Sequence, residues 1–384
     1  MFEYLKGYEC EMKLERIIMF GAGTVGVVTA YMLMFAGIKV VTCFDNGIEK
    51  QGKKIWECIL CQRPVMIEAE MPIVIAVLNE NAKWEIEKQC RELGYVHILY
   101  VDTEKLKNQA SLLPDKNFLE LTYYVGTNGK ILNLNSPKTF NEKIQWLKLY
   151  DRNPEYTKMV DKYKVKEYVA EHIGEKYIIP TLGVWERFED INFDKLPEQF
   201  VLKCTHDSGS VSIIRDKYNF DYDAVREKYT HALQKNYYDA GREWPYKNVR
   251  PRIIAEELLQ REDGCEIVDY KFMCFGGEVR CIFICTNRFE KSGLRVTFYD
   301  TNWRKMPFER HYPSESVPFE KPKSFNEMRM IAEKLSKGIP FVRIDFYEIN
   351  ERPLVGEITF YPGGGYEQFD PDIWDEILGS WIRI

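Results

Sequence analysis

The sequence lacks the features that mark several common protein classes. It has no apolar run approaching the ~20 residues that span a bilayer, and no cleavable signal pattern at its start. It also has no surplus of basic residues, because 53 lysines and arginines face 59 aspartates and glutamates and leave a net charge of −6. From the first two absences we expect a soluble, cytoplasmic protein with no membrane span. Since neutralising nucleic-acid phosphates needs a basic surface, we also expect no nucleic-acid partner.

Motifs that would assign a specific chemistry are missing as well. The pattern G-x-x-x-x-G-K-[ST] is absent, which excludes a P-loop nucleotide site. No Tyr-x-x-x-Lys constellation occurs, which argues against redox catalysis. Cys58 and Cys61 form a lone Cys-x-x-Cys, but no second pair or histidine cluster completes a zinc site. The ten cysteines are scattered, as is typical of reduced, buried thiols in a cytosolic protein.

What the sequence does contain is enough apolar material for a large folded protein. Its 384 residues are 45% hydrophobic and 14% aromatic, which is typical of globular rather than disordered chains. A chain of this length accommodates two or three domains with cores of their own.

The first third predicts a small parallel sheet of the βαβ type. Apolar runs predict strands at 16–20, 38–44, 73–78 and 97–101, with helices from about 24 to 36 and from 82 to 93. The pattern breaks up over 111–130, where Pro114, Gly126, Asn128 and Gly129 indicate a domain boundary.

A glycine motif lies between the first predicted strand and helix. Gly21, Gly23 and Gly26 form G-x-G-x-x-G, and Asp45 follows about 20 residues on. In this context the glycines let backbone N–H groups approach a pyrophosphate at the helix N-terminus, and Asp45 is placed to accept hydrogen bonds from ribose hydroxyls. The alternative is that the glycines only pack the helix against the strand.

The stretches GAGTVG and VVTCFDN, with Pro64 before the next segment, resemble the Rossmann-like domain of bacterial sugar-modifying enzymes in surface-polysaccharide pathways. The resemblance covers about residues 14–105. It implies binding of a nucleotide or nucleotide sugar rather than hydride transfer. We therefore predict a Rossmann-like domain over residues 1–125.

Near the C-terminus, residues 341–365 predict a β-hairpin with two different faces. Alternation places Val342, Ile344 and Phe346 on an apolar face, together with Leu354, Ile358 and Phe360. The other face carries Arg343, Asp345, Glu357 and Thr359. If the turn is centred on Glu351, Asp345 and Glu357 lie directly opposite each other.

Two opposed carboxylates repel unless a positive charge lies between them. One interpretation is a divalent cation, Mg²⁺ or Mn²⁺, that Asp345 and Glu357 hold through oxygen ligands and that bridges nucleotide phosphates. Arg343 is then a further phosphate partner. The alternative is an exposed sheet face on which Arg343 pairs with the acids.

A second cationic position ends the apolar strand predicted at 200–203. Lys203 leaves this strand directly before a loop that contains Ser208, Gly209 and Ser210. A lysine beneath a flexible loop whose N–H groups cover phosphates is the arrangement that an ATP site needs. Arg288 lies in a predicted loop, which we expect beside this ATP site. Its guanidinium group is a candidate for binding a carboxylate in bidentate fashion.

The segment SPKTFNEKIQWLKLYDRNPEYTKMVDKYKVKEYV, at 136–169, resembles the opening of the TupA-like ATP-grasp family, which is linked to teichuronopeptide and related polysaccharide biosynthesis. The resemblance extends from about residue 135 to the C-terminus, through a lysine, a glycine loop, paired glutamates, a second lysine, an aspartate and a glutamate in that order. It implies an ATP-grasp domain over 126–384, so that the expected fold class is α/β and α+β, a Rossmann-like parallel sheet followed by an ATP-grasp fold.

The resemblance also implies roles for individual residues. Glu256, Glu257 and Leu259 belong to the hinge that contacts adenine, and one of Glu262, Asp263 and Glu266 reaches the ribose. Lys271 matches the second lysine, which contacts phosphate or acceptor. Asp345 and Glu357 match the metal positions, although Thr359 stands where an asparagine often completes the coordination.

The implied activity is ATP-dependent carboxylate–amine ligation through an acyl phosphate. Its partners would be ATP, Mg²⁺, an amino acid or other amine, and a uronic acid of a capsular or other surface polysaccharide or its nucleotide-sugar precursor. An oligomer is compatible with the sequence. Two alternatives stay open: a glycosyltransferase whose sugar-nucleotide donor binds the N-terminal domain, and a nucleotide sensor or assembly subunit without catalytic activity.

Overall fold

The computed structural model describes residues 2–8, 14–261, 267–286 and 293–384. The chain divides into two compact units, Met1–Leu132 and Asn133–Ile384. Among the described residues, no helix combines the length and the apolar character needed to cross a membrane. Both units mix helices with sheets, in agreement with the predicted α/β and α+β class.

The described part of the first unit contains a seven-stranded sheet and four helices. The strands are β1 (Leu5–Lys6), β2 (Arg16–Phe20), β3 (Lys39–Phe44), β4 (Lys54–Ile55), β5 (Ile59–Gln62), β6 (Ile73–Ile75) and β7 (Ile98–Val101). The helices are α1 (Thr24–Phe35), α2 (Glu80–Glu92), α3 (Thr103–Ser111) and α4 (Asp115–Gly126). The predicted strands and helices of this third are therefore present, most of them shorter than predicted.

This sheet is mixed, whereas the sequence predicted a parallel one. Its order is β1-β7-β6-β2-β3-β5-β4, and the five central strands run parallel. The edge strands β1 and β4 pair antiparallel with β7 and β5. The reason at one edge is the short connection from β4 to β5, which turns through Trp56 and Glu57 at φ 53° and 58°. A connection this short joins only antiparallel strands.

Helix α4 occupies the stretch in which the sequence predicted only a boundary. Pro114 caps its N-terminus and Gly126 is its last residue, so both residues bound a helix rather than replace one. Between them, Phe118, Leu119 and Leu121 are buried. Burial of this apolar face outweighs the local breaking tendency of the flanking proline and glycine.

The three motif glycines have different surroundings. A Cβ atom on Gly26 would lie 1.8 Å from the carbonyl oxygen of Gly21, so the helix approaches the strand through the absent side chain. A Cβ on Gly23 would meet no atom within 4 Å. Gly26 therefore serves helix–strand packing, as the alternative interpretation of the motif holds, while Gly23 faces open space.

The second unit contains three sheets. A four-stranded antiparallel sheet, of order β10-β9-β11-β8, is formed by β8 (Thr181–Trp185), β9 (Phe200–Cys204), β10 (Val211–Ile214) and β11 (Ile253–Glu257). A five-stranded antiparallel sheet, of order β14-β13-β12-β16-β17, is formed by β12 (Asp269–Phe275), β13 (Glu278–Thr286), β14 (Arg295–Asp300), β16 (Phe341–Ile349) and β17 (Arg352–Thr359). The short strands β15 (Glu309–Arg310) and β18 (Phe369–Asp370) form the third.

Seven helices accompany these sheets in the described part of the second unit. They are α5 (Phe140–Tyr150), α6 (Glu155–Val160), α7 (Lys164–Ile173), α8 (Tyr222–Leu233), α9 (Tyr237–Gly241), α10 (Phe325–Leu335) and α11 (Ile373–Trp381). Helix α5 begins at a capping box in which Thr139 and Glu142 satisfy each other's backbone N–H groups. The largest core of the unit lies around the five-stranded sheet and includes Phe272, Ile344 and Ile358.

The hairpin of β16 and β17 is present and pairs Asp345 with Glu357, as predicted. The turn is shorter than predicted, because Ile349 already pairs with Arg352. A β-bulge between Asp345 and Phe346 shifts the register by one residue, so that Asp345 still pairs with Glu357. Between the bulge and the turn, the alternation of buried and exposed residues on β17 is reversed. Val355, not Leu354, is therefore opposite Phe346 and buried, and the predicted place of Leu354 on the apolar face was wrong.

A matched pair of substitutions separates packing from ligand access in the glycine motif. We expect Gly26→Ala to destabilise the first unit by at least about 1–3 kcal/mol, because the added methyl group clashes with backbone. Gly23→Ala, at φ −81° and in open space, should cost less than about 1 kcal/mol. Hydrogen exchange of the β2 and β3 amides measures both, and equal protection losses would contradict this explanation.

Candidate active site

Three of the predicted site residues form one row across the five-stranded sheet. Lys271 on β12 pairs with Asp345 on β16, which pairs in turn with Glu357 on β17. Directly paired residues project from the same face of a sheet, so the three side chains share one surface. Hydrogen bonding between antiparallel strands thus brings together residues that are up to 86 positions apart in the sequence, from Lys271 to Glu357.

Asp345 is buried in a network of cations. Arg343 donates from Nε to Oδ1 over 2.6 Å and from Nη2 to Oδ2 over 2.7 Å, and Lys271 Nζ lies 2.5 Å from Oδ2. Burial works to raise the pKa of Asp345, but Arg343 and Lys271 outweigh it and the pKa is lowered. The pairing of Arg343 with an acid, which the sequence left as an alternative, is therefore present at Asp345, on a buried rather than an exposed face.

Both cations keep their charge in this network. Burial works to lower the pKa of Lys271, but Asp345 and Asp269 outweigh it and the pKa is raised. Burial likewise disfavours charged Arg343, and Asp345 outweighs it. Asp269, 2.5 Å from Lys271 Nζ, is a site residue that the sequence reasoning missed. Its signal was its position two residues before Lys271, on the same face of β12.

Glu357, unlike Asp345, makes no hydrogen bond or ion pair through its carboxylate with any residue in the described ranges, and it is half-buried. Thr359, two residues on, already accepts a hydrogen bond from Arg343 Nη2 over 3.1 Å. A half-buried carboxylate without a partner beside a paired one leaves room for a ligand cation.

The donor set fits Mg²⁺. The described part of the chain contains no cluster of three or more histidine, cysteine or acidic side chains of metal-binding geometry. Mg²⁺ needs no such cluster, since it binds through one or two carboxylates and completes its shell with water and substrate phosphates. Glu357 and Asp345 supply those carboxylates, so their predicted metal role is chemically consistent and stays a prediction.

A second ionic cluster lies on the four-stranded sheet. Glu256 on β11 is 2.6 Å from Lys203 Nζ on β9 and 2.6 Å from Lys166 Nζ on α7. Burial works to raise the pKa of Glu256, but the two lysines outweigh it and the pKa is lowered. The side chain of Glu256 thus holds the phosphate-binding candidate Lys203 in place.

Lys166 was missed by the sequence reasoning. Its ammonium group is mostly buried, and burial lowers its pKa although Glu256 opposes the shift. A helical lysine among other lysines gave no signal that it points inward. Of the predicted hinge residues, Glu257 ends β11 with an exposed side chain and Leu259 is half-buried just beyond it.

The loop after β9 forms an exposed tip near Lys203. Ser208 and Gly209 are exposed, and Gly209 has φ +104°, a conformation that favours glycine. Lys162 anchors the base of this loop, because its Nζ donates to the carbonyl oxygen of Asp207. Ser210 donates its hydroxyl to the carboxylate of the same aspartate.

The two ionic clusters face a common region. Burial raises the pKa of Tyr347, and the charges of Asp269, Asp345 and Glu357 raise it further. Glu256, from the other cluster, acts on the same phenol. Helix α7, which carries Lys166 of the second cluster, also packs against β17, the strand that carries Glu357.

The first unit contains a cavity of about 270 Å³ at its glycine motif, lined by Gly23, Thr24, Lys50, Lys53 and Lys54 among others. The carboxylate of Asp45 is already engaged within the first unit, since it accepts hydrogen bonds from the backbone N–H groups of Ala22 and Gly47 over 2.8 Å each. Burial works to raise its pKa, but these backbone bonds outweigh it and the pKa is lowered.

Four predicted site residues lie outside the described residues. They are Arg288, the candidate for binding a carboxylate, and the three acids proposed for the ribose, Glu262, Asp263 and Glu266.

A comparison with known protein families finds one match. A sequence model of one family, described as TupA-like ATPgrasp, matches residues 142–383. This range contains both ionic clusters, the glycine loop and the hairpin. A comparison of the sequence with curated proteins finds no match.

Several solved structures are distantly similar. D-alanine–D-alanine ligase from Bacillus anthracis is 14% identical over 91% of this chain and 87% of its own, with a TM-score of 0.30. The biotin carboxylase domain of the Hydrogenobacter thermophilus 2-oxoglutarate carboxylase is 13% identical over 96% and 70%, with a TM-score of 0.35.

The contrast between the two hairpin carboxylates predicts different effects on stability. Asp345→Asn should destabilise the second unit by about 3–5 kcal/mol, because it leaves Arg343 and Lys271 buried with less compensating charge. Glu357→Gln removes a carboxylate without a partner and should change stability by less than about 0.5 kcal/mol. Urea unfolding without nucleotide measures both, and a comparable loss in the two variants would show that Glu357 is also part of the internal network.

Proposed function

Because this chain belongs to the TupA-like ATP-grasp family and is an ATP-dependent ligase, we propose that it joins a carboxylate to an amine. The proposed product is an amide between an amino acid and a uronic acid of a surface polysaccharide or its nucleotide-sugar precursor. The observation that carries the proposal is the row of Lys271, Asp345 and Glu357 on one face of the five-stranded sheet.

The reaction has two steps. An oxygen of the substrate carboxylate attacks the γ-phosphorus of ATP, the bond from that phosphorus to the bridging oxygen breaks, and ADP leaves. The nitrogen of the amine then attacks the carbonyl carbon of the acyl phosphate, inorganic phosphate leaves with the electron pair of the C–O bond, and the nitrogen releases its protons to solvent. Neither step needs a covalent enzyme intermediate, so the protein's task is to position reactants and compensate charge.

The charged residues divide this task. We assign Lys203, beneath Ser208, Gly209 and Ser210, to the phosphates of ATP, with the N–H groups of that loop above them. Lys271 and Arg343 are oriented by Asp345 and stabilise the charge of the transferring phosphoryl group.

The hinge and the metal complete the nucleotide site. We assign adenine to the end of β11, where Glu256, Glu257 and Leu259 lie in sequence. Asp345 and Glu357 would hold Mg²⁺ or Mn²⁺, which when bound neutralises charge on the β- and γ-phosphates. We place the reaction in the cytoplasm, where ATP is available.

We assign the cavity of the first unit to the phosphates of a nucleotide or nucleotide sugar. Lys50, Lys53 and Lys54 line it, and Lys53 and Lys54 are exposed. Gly23 leaves the N-terminus of α1 accessible. This observation also keeps the second candidate function open, a glycosyltransferase that would take its donor here.

The ligase proposal predicts ADP release that requires two substrates and Mg²⁺. We expect turnover only when glucuronic or galacturonic acid derivatives and an amino acid are present together. Lys203→Ala and Glu357→Ala should each lower kcat/KM by about 100-fold or more, in the range of losing one preorganised electrostatic contact. A coupled ADP assay measures this, and activity that survives both substitutions would contradict the site assignment.

The N-terminal assignment predicts a charge-dependent effect on binding. Reversing Lys53 and Lys54 to glutamate should weaken binding of UDP-sugars to the full chain by at least about tenfold, since two attractive charges become repulsive. Lys107→Glu, at an exposed position of α3 away from the cavity, is the matched control. Calorimetric titration measures the dissociation constants. Sugar transfer from the bound donor without ATP would favour the glycosyltransferase.

A further inference from the structure

A short segment of the second unit brings a buried carboxylate to the candidate active site. Arg242, the residue directly after helix α9, has φ +53°, and a 3₁₀ turn begins at Trp244 and ends at Asn248. Glu243 lies between the two elements and is only 8% exposed. The left-handed residue before it fixes the direction in which the chain enters this turn.

Glu243 makes no side-chain hydrogen bond and no ion pair with residues of the described ranges, although it is more than nine-tenths buried. Isolated buried carboxylates are costly, and in folded proteins they are paired or take a ligand. Burial raises the pKa of Glu243 to about 7; Lys148 and Arg343 oppose the shift and Glu357 adds to it.

Lys148 is the nearby cation, but it is committed elsewhere. It is fully buried on α5, donates from Nζ to the carbonyl oxygen of Gly364 over 2.8 Å, and lies over the ring of Tyr366 at 5.2 Å. Burial lowers its pKa to about 8. Lys148 therefore compensates the charge of Glu243 only at a distance and leaves its oxygens free.

Two tyrosines flank the segment that carries Glu243, and the centroids of their rings, Tyr237 and Tyr246, are 4.8 Å apart. The 3₁₀ turn that follows Glu243 packs against α6, and α6 packs against β17, the strand that carries Glu357. Burial raises the pKa of Tyr237; Ser208 of the glycine loop opposes the shift, and Glu243 and Glu357 add to it. The segment therefore lies next to the hairpin that carries the metal candidates.

We propose that Glu243 binds the amine substrate. Its carboxylate recognises the ammonium group of a primary amine. The inference rests on the ligase function proposed above and specifies one of its two substrates. A carboxylate substrate is disfavoured at this position, because Glu243 and Glu357 together repel an anion. Both an amino acid and an amino sugar present the required group.

The test compares two nucleophiles on the full chain. Hydroxylamine is neutral near pH 7 and traps an acyl phosphate without needing an anionic binding site, whereas an amino acid arrives as an ammonium ion. In Glu243→Gln we expect the KM of the amine to rise by about tenfold or more, since a lost charged hydrogen bond costs about 1.5–3 kcal/mol. Hydroxamate formation and the KM of ATP should stay unchanged. Separate titrations with amino acids and amino sugars identify which class binds.

Two further variants keep the outcome decisive. Glu227→Gln, at an exposed position on α8, should leave both nucleophiles unaffected. Glu243→Asp retains the charge and should recover part of the amine affinity, which a purely structural role would not predict. An unchanged amine KM in Glu243→Gln, or equal losses with both nucleophiles, would overturn the inference. Wild-type protein that forms no hydroxamate with any acid would instead refute the ligase function, and the inference with it.

Discussion

The buried bridge from Asp345 to Arg343 and Lys271 is the interaction on which the second unit depends. An ionised carboxylate is stable away from water only when charge and hydrogen bonds compensate it. Here strand register supplies both, because β12 places Lys271 opposite Asp345 and β16 itself places Arg343 two residues before it. The result is a preorganised charged surface next to Glu357, which interacts with the charge of Arg343 only at a distance.

Patterns within one strand or one turn were readable from the sequence. The hairpin and the strand that carries Lys203 depend on neighbouring residues, and the structure contains both, with Leu354 as the exception to the predicted alternation. The opposition of Asp345 and Glu357 was right although the assumed turn was not. A one-residue bulge compensates for a turn shorter by one residue, and no local pattern predicted that bulge.

Features that depend on distant partners were not readable. Lys166 and Lys148 look like ordinary helical lysines, and only the folded chain shows that one meets Glu256 and the other the carbonyl oxygen of Gly364. Glu243 gave no signal for the same reason. The stretch over 115–126 was misjudged because its proline and glycine were given more weight than the apolar residues between them, which burial favours as a helix.

The ion pair between Lys203 and Glu256 has a consequence for ionic strength. A lysine that waits in solvent attracts mobile anions, and a phosphate must displace them, so its affinity falls steeply with added salt. In the function proposed above, Lys203 would meet the incoming phosphate from an ion pair with a fixed internal carboxylate, Glu256. Fewer mobile ions are released in that exchange, and the affinity for nucleotide should therefore vary only weakly with salt concentration.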